Sequence, residues 1–107
     1  MANAKDLRRL ALSLAGTTEA PHFDRAAFKV ARIYVTLAAN GRTANFMFTP
    51  DEQEFKCMMA PDAFAPVPNA WGKKGATTAT LAKLSPAELK AALEMAWKHA
   101  AKKKPKR

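Results

Sequence analysis

A single cysteine, four glycines, one tyrosine and nine carboxylates are all that this 107-residue chain holds of those types. One cysteine forms neither an internal disulfide nor a metal centre of several cysteines. Cys57, beside Met58 and Met59 in a predicted helix, reads as a small buried hydrophobe. No histidine or cysteine spacing matches a zinc site. Two of the four glycines, Gly72 and Gly75, belong to a Gly-Lys-Lys-Gly run. That run lacks the strand–loop–helix setting of a phosphate-cradling nucleotide loop. No apolar run approaches the ~20 residues of a membrane span. Arg8 and Arg9 interrupt the first apolar segment, which argues against a secretory leader. These absences point to a cytoplasmic protein with no cofactor and no metal.

Positive charge is what the chain has in excess. Eighteen Lys and Arg give a formal net charge of +9. Five of them, Lys102, Lys103, Lys104, Lys106 and Arg107, form the tail. Without the tail, thirteen basic residues face nine acidic ones, a net of +4. The folded part is therefore moderately basic, and residues 102–107, which carry no apolar side chain, are expected to be disordered. An apolar fraction of 49% suits one globular domain, placed at residues 1–101.

Periodicity supplies the elements. Leu7, Leu10, Ala11 and Leu14 recur at helical spacing over residues 4–15, and Gly16 is a stop. A loop, TTEAPHFDR, follows, broken by Pro21. Phe28 and Val30 keep one alternating phase, whereas Ile33, Val35 and Leu37 keep the other. A strand cannot absorb that shift without a bulge or turn, so a turn is placed at Ala31-Arg32. Asn40-Gly41 signals a hairpin, and Ala44, Phe46 and Phe48 then alternate. Thr49-Pro50-Asp51-Glu52 and Ser85-Pro86-Ala87-Glu88 are capping boxes with proline in the first turn. Phe55, Met58 and Met59 give the first of these helices an apolar face. Leu89, Ala92, Leu93, Ala96, Trp97 and Ala100 line the second. Between them, residues 64–81 read as a hairpin whose tight turn is Gly72-Lys73-Lys74-Gly75, with both glycines at positive φ. The expected fold is α+β: a single antiparallel sheet of about five strands with three helices, mostly packed on one face.

The order LALSLAGTTEAPHF, AFKVARIYVTL, ANFMFTPDEQ, FAPVPNAWGKKGAT and SPAELKAALEMAWKHAA resembles the MmcQ/YjbR family of small bacterial proteins, over about Leu7 to Ala101. The resemblance implies an α+β fold with one antiparallel sheet and flanking helices. It also implies the DNA-binding role with which members are commonly labelled, on a paired-wing surface. Two positions depart from the expected pattern. Ala31-Arg32 lacks a glycine at the strand turn, and Ala76 stands where a large aromatic often follows the second turn glycine.

Arg25, Lys29, Arg32, Arg42, Lys73 and Lys74 form the basic set, and several of them lie at predicted turns or strand ends, where a sheet edge or wing could meet phosphates. Such contacts give salt-dependent, sequence-tolerant binding. The leading expectation is a monomeric, non-enzymatic nucleic-acid-binding domain, with the alternative of a solvated surface that only aids solubility. A protein-interaction module is the rival, although Pro66 and Pro68 guard their strand against pairing. Small-ligand binding near His22 comes third: Asp24 lies close enough in sequence to orient the imidazole, but no nucleophile stands nearby. His99 suits the end of the last helix as a cation. Asp51, Glu52 and Glu54 are acids at a helix start rather than metal ligands. Trp71 and Trp97 are of a type that stacks on bases, but at a strand end and on an apolar helix face both are expected in the core or at its edge.

Overall fold

The computed structural model describes residues 1–102. In order, the chain forms α1 (Ala4–Ser13), β1 (Thr18–His22), β2 (Arg25–Lys29), β3 (Ile33–Leu37), β4 (Thr43–Met47), α2 (Pro50–Met59), β5 (Phe64–Pro66), α3 (Ala70–Lys73), β6 (Ala76–Thr80) and α4 (Pro86–Ala101). One turn of 3-10 helix, Leu81–Lys83, precedes α4. The six strands make one sheet in the order β1-β2-β3-β4-β6-β5, and every pairing is antiparallel. The α+β class and the single antiparallel sheet are those expected from the sequence. The expected tail lies, from residue 103 onward, outside the described residues.

Local chemistry sets the helix starts. The Thr49–Glu52 and Ser85–Glu88 boxes both close, with side chain and backbone bonded reciprocally. A third box, Asn3–Asp6, opens α1. Each box satisfies backbone donors that the first turn leaves without partners.

Two elements exceed the expected five strands and three helices. Residues 18–22, read as loop because of Pro21, form the sheet's outer strand. Proline is tolerated there because an edge residue's outward N–H needs no ladder partner. The opposite edge, β5, also carries a proline, Pro66. The second difference is α3. The Gly72-Lys73-Lys74-Gly75 stretch is no tight hairpin turn but the end of this short helix and its exit. Only Gly75 has positive φ, +114°. Gly72 is needed for space instead, since a Cβ there would lie 1.8 Å from the Val67 carbonyl oxygen. β5 and β6 still pair, as Phe64↔Ala79, Ala65↔Thr78 and Pro66↔Thr77.

The phase shift between Val30 and Ile33 has two causes. The chain bends at Ala31-Arg32 as expected, and the β2–β3 register slips between Phe28↔Val35 and Lys29↔Ile33. Tyr34 is the extra residue, so Tyr34 and Val35 both turn to the same side. There Tyr34 is fully buried, its hydroxyl 2.9 Å from Thr17 Oγ1 and donating to the Ala11 carbonyl at 3.3 Å.

Strand alternation then sorts the sheet into two faces. Phe28, Val35, Leu37, Ala44, Phe46, Ala79 and Phe64 share one face through their pairings, and all are buried. They join Leu7, Ala11, Leu89, Leu93 and Ala96 of α1 and α4 in one core. Phe46 stacks on Phe48 with ring centres 5.3 Å apart. The other face carries Arg25, Lys29, Ile33, Thr36, Asn45, Met47 and Thr78, most of them half-exposed. α1 and α4 thus cover one face of the sheet, and the second stays open apart from the α3 segment at its border.

Several apolar residues lie outside this core. Phe55, Met58 and Met59 are exposed, the last two at 70% and 66%, so the apolar row of α2 faces solvent. Trp97 is half-buried at the core's edge, donating from Nε1 to the Ala15 carbonyl at 3.0 Å. Cys57 is half-buried, and burial pushes its thiol up. Trp71 contradicts the expectation of a core position, because α3 presents its indole outward.

Candidate nucleic-acid interface

The open face holds two of the chain's cations and borders two of its exposed aromatics, Phe23 and Trp71. β2 contributes Arg25 and Lys29, two residues of one phase four positions apart. Arg25 is anchored within the sheet, donating from Nε to Thr36 Oγ1 at 2.8 Å and from its second nitrogen to the Thr36 carbonyl at 3.2 Å. Lys29 is exposed. Among the strand residues of this face there is no carboxylate. Glu19 belongs to the opposite phase of β1 and is held by Arg8 in a bidentate pair, with distances of 2.9–3.1 Å. That pair holds the Arg8 guanidinium above its ordinary pKa.

A cleft of about 580 Å³ opens on this face. Ile33, Met47, Val67 and Ala76 give it an apolar floor, and Thr36 and Asn45 add polar groups. Asn45 is oriented by Thr78, whose hydroxyl donates to Asn45 Oδ1 at 2.8 Å. At one wall lies the β1–β2 turn, His22-Phe23-Asp24-Arg25, and at the other Trp71. Phe23 has φ +60° and is 93% exposed, its ring edge-on to His22 with centres 4.9 Å apart. Glycine usually takes such a turn position.

Trp71 is 62% exposed yet sits on a fixed mount. Its backbone N–H donates to Asn69 Oδ1 at 2.8 Å, capping α3. Gln53 of α2 reaches across to bond the carbonyls of Gly72 and Ala76 at 2.8 and 3.0 Å. The Lys74 ammonium lies 5.3 Å from the centre of the Trp71 ring, a cation–π contact. Lys73 and Lys74 are both exposed.

The other predicted cations are placed differently. Arg32 occupies the β2–β3 turn and donates to the carbonyl of His99 at 3.2 Å, satisfying the end of α4. Arg42 occupies the β3–β4 turn, at the opposite end of β3. Lys29, Lys73 and Lys74 share the Arg32 end, because β6 begins where β4 finishes. Arg25 and Arg42 share the other. The six residues therefore split between the two ends of the sheet. His22 stands at the cleft wall, whereas His99 lies behind the sheet, 3.4 Å from Glu52. Among the described residues, no group of three or more His, Cys, Asp or Glu is arranged to hold a metal ion. Nor is any described helix long and apolar enough to cross a membrane.

A family model described as YjbR matches residues 12–99. The chain belongs to the YjbR family. That span takes in all six strands, α2, α3 and most of α4. A solved structure, the crystal structure of Deinococcus radiodurans protein DR2400 with its domain of the DUF419 family, is similar at a TM-score of 0.75. It shares 23% identity, over 90% of this chain and 76% of that one, a likeness of fold. No curated protein matches the chain. The cleft aromatics Phe23 and Trp71 are the site residues that sequence reasoning placed wrongly or passed over. The signal for Phe23 was present: two residues, Phe-Asp, separate two five-residue runs, the length of a two-residue hairpin.

Proposed function

We propose that this YjbR domain binds nucleic acid across the uncovered face of its sheet. The supporting observation is charge asymmetry between the faces. Arg25 and Lys29 belong to the open face, Lys74 lies over Trp71 at its border with Lys73 next to it in the chain, and no strand residue of that face is a carboxylate, although Asp24 of the β1–β2 turn lines the cleft. Lys29, Lys73 and Lys74 contact phosphates and position the strand without reading its sequence. Arg25, tied to Thr36, is a preorganised cation at the cleft, and Arg42 extends the positive field at its end. The wings of the interface are the β1–β2 turn and the α3 segment.

Anisotropy titration of labelled DNA at 50 and 200 mM salt tests this, with the full chain and a chain ending at Ala101. Neutralising about three phosphates predicts a roughly 20- to 40-fold loss of affinity between those salts. Lys73→Glu with Lys74→Glu weakens binding further, and removal of the tail leaves most of it. Binding that vanishes with the tail, or that ignores the charge reversals, refutes the proposal.

A second reading, a protein-interaction module, has the solvent-facing Phe55, Met58 and Met59 of α2 in its favour. Sedimentation at rising concentration, compared with Met58→Ser and Met59→Ser, tests for self-association through that row. We read the domain as a monomer, so the expected result is a concentration-independent monomer mass.

A further inference from the structure

The open-face cleft has a shape and lining that phosphate contact alone does not explain. Resting on the nucleic-acid reading above, we propose that it stacks unpaired bases between Trp71 and the Phe23 turn, so the domain prefers single strands to duplex. Four observations carry this. Ile33, Met47, Val67 and Ala76 give the cleft an apolar part that suits the face of a flat ring, with Thr36 and Asn45 beside it as polar groups for a ring's edge. The backbone that carries Trp71 is held through Asn69 on one side and Gln53 on the other, and its indole is 62% exposed. An aromatic surface open to solvent is what base stacking uses. Phe23 keeps a backbone conformation that a bulky side chain rarely adopts, and gains no burial from it. The Lys74 ammonium lies over one face of the Trp71 ring, 5.3 Å from its centre, and puts a positive charge next to a nucleotide stacked on the other face.

A duplex hides its base faces within the helix. It also carries more charge per length than a single strand, so electrostatics alone favours it. Preference for a single strand therefore isolates stacking from charge. Stacking on one aromatic side chain is worth roughly tenfold in affinity per base.

The test is a titration of the full chain with a labelled single-stranded 12-mer and with a duplex of the same sequence, both at one salt concentration. The expected result is at least about tenfold tighter binding of the single strand. Trp71→Leu keeps the bulk but loses the ring; it should lose roughly tenfold on the single strand and little on the duplex. Trp71→Phe should restore most of that loss, and circular dichroism confirms that each variant folds. Equal or tighter duplex binding, or a Trp71→Leu effect alike on both DNAs, overturns the stacking proposal. If Lys74→Glu still weakens both DNAs in that case, the phosphate reading survives alone. Absence of binding to either DNA overturns both.

Discussion

Gly75→Ala is the sharpest perturbation of this fold. Gly75 joins α3 to β6 with φ +114° and packs against the end of β4. An added Cβ would lie 2.0 Å from the Phe48 carbonyl oxygen and 2.7 Å from the Thr49 carbonyl carbon. Both are backbone atoms, so no rotamer change relieves the clash. Restoring ordinary contact at 3.4 Å means moving that backbone by about 1.4 Å. The shift would disturb the Met47↔Ala76 pairing and the Phe46–Phe48 stack. Gly41→Ala is the control. It shares the positive φ, +73°, but its nearest new neighbour is the Ala4 side chain at 3.3 Å. For Gly41, left-handed strain of about 1–2 kcal/mol is partly offset by about 0.4–1 kcal/mol from a stiffer unfolded chain. The expected loss there is about 1 kcal/mol. For Gly75 the same strain adds to the backbone collision, and the expected loss is about 3–5 kcal/mol, among the largest single-residue effects. Total stability of such domains is about 5–15 kcal/mol. In thermal melts the Gly75 variant should fall by roughly 15 °C or more. A loss under about 1 kcal/mol, or no greater than that of Gly41→Ala, refutes the reasoning.

Three further outcomes are expected. Burial raises the Tyr34 pKa above 10.0, a shift its bond with Thr17 partly opposes. Stability should therefore be intact below pH 10.0 and fall as pH climbs through the folded pKa. Absorbance of this one tyrosine reports the late titration, and Tyr34→Phe should remove the alkaline loss at a cost of about 1 kcal/mol at neutral pH. Lys56, against the ring of Phe64, has its pKa lowered from 10.5 by burial, with Glu88 opposing. Its contribution is lost as pH falls through the folded pKa, so Lys56→Met should melt higher at pH 7 and lose that advantage above pH 10.5. Phe23→Asn should stabilise by about 0.5–1 kcal/mol in urea titration, because asparagine tolerates the left-handed region and little burial is lost, while weakening single-strand binding.

What could be read from the chain tracked the range of the forces involved. The Thr49 and Ser85 boxes, the Asn40-Gly41 hairpin and the alternation of β4 each depend on a few adjacent residues, and each stands where local chemistry puts it. The six cations were legible as residues but not as a surface. Whether Arg32 meets phosphate or the carbonyl of His99 depends on a helix end 67 residues away in sequence. Trp71 looked like core because indoles are usually buried where packing allows. Its exposure follows from α3, whose backbone is held by Gln53 from a different helix.

By itself, then, the sequence determined the helix starts, most strands, the antiparallel class and the excess of positive charge. Capping, turn formation and alternation act over a few residues, and net charge needs no fold at all. The tertiary structure decided that β1 closes an edge, that Tyr34 turns inward at a bulge, and that one sheet face stays uncovered beside Trp71 and Phe23. These outcomes rest on α1, α2 and α4 meeting strands distant in sequence, and burial of one face against them is a property of the whole packed chain.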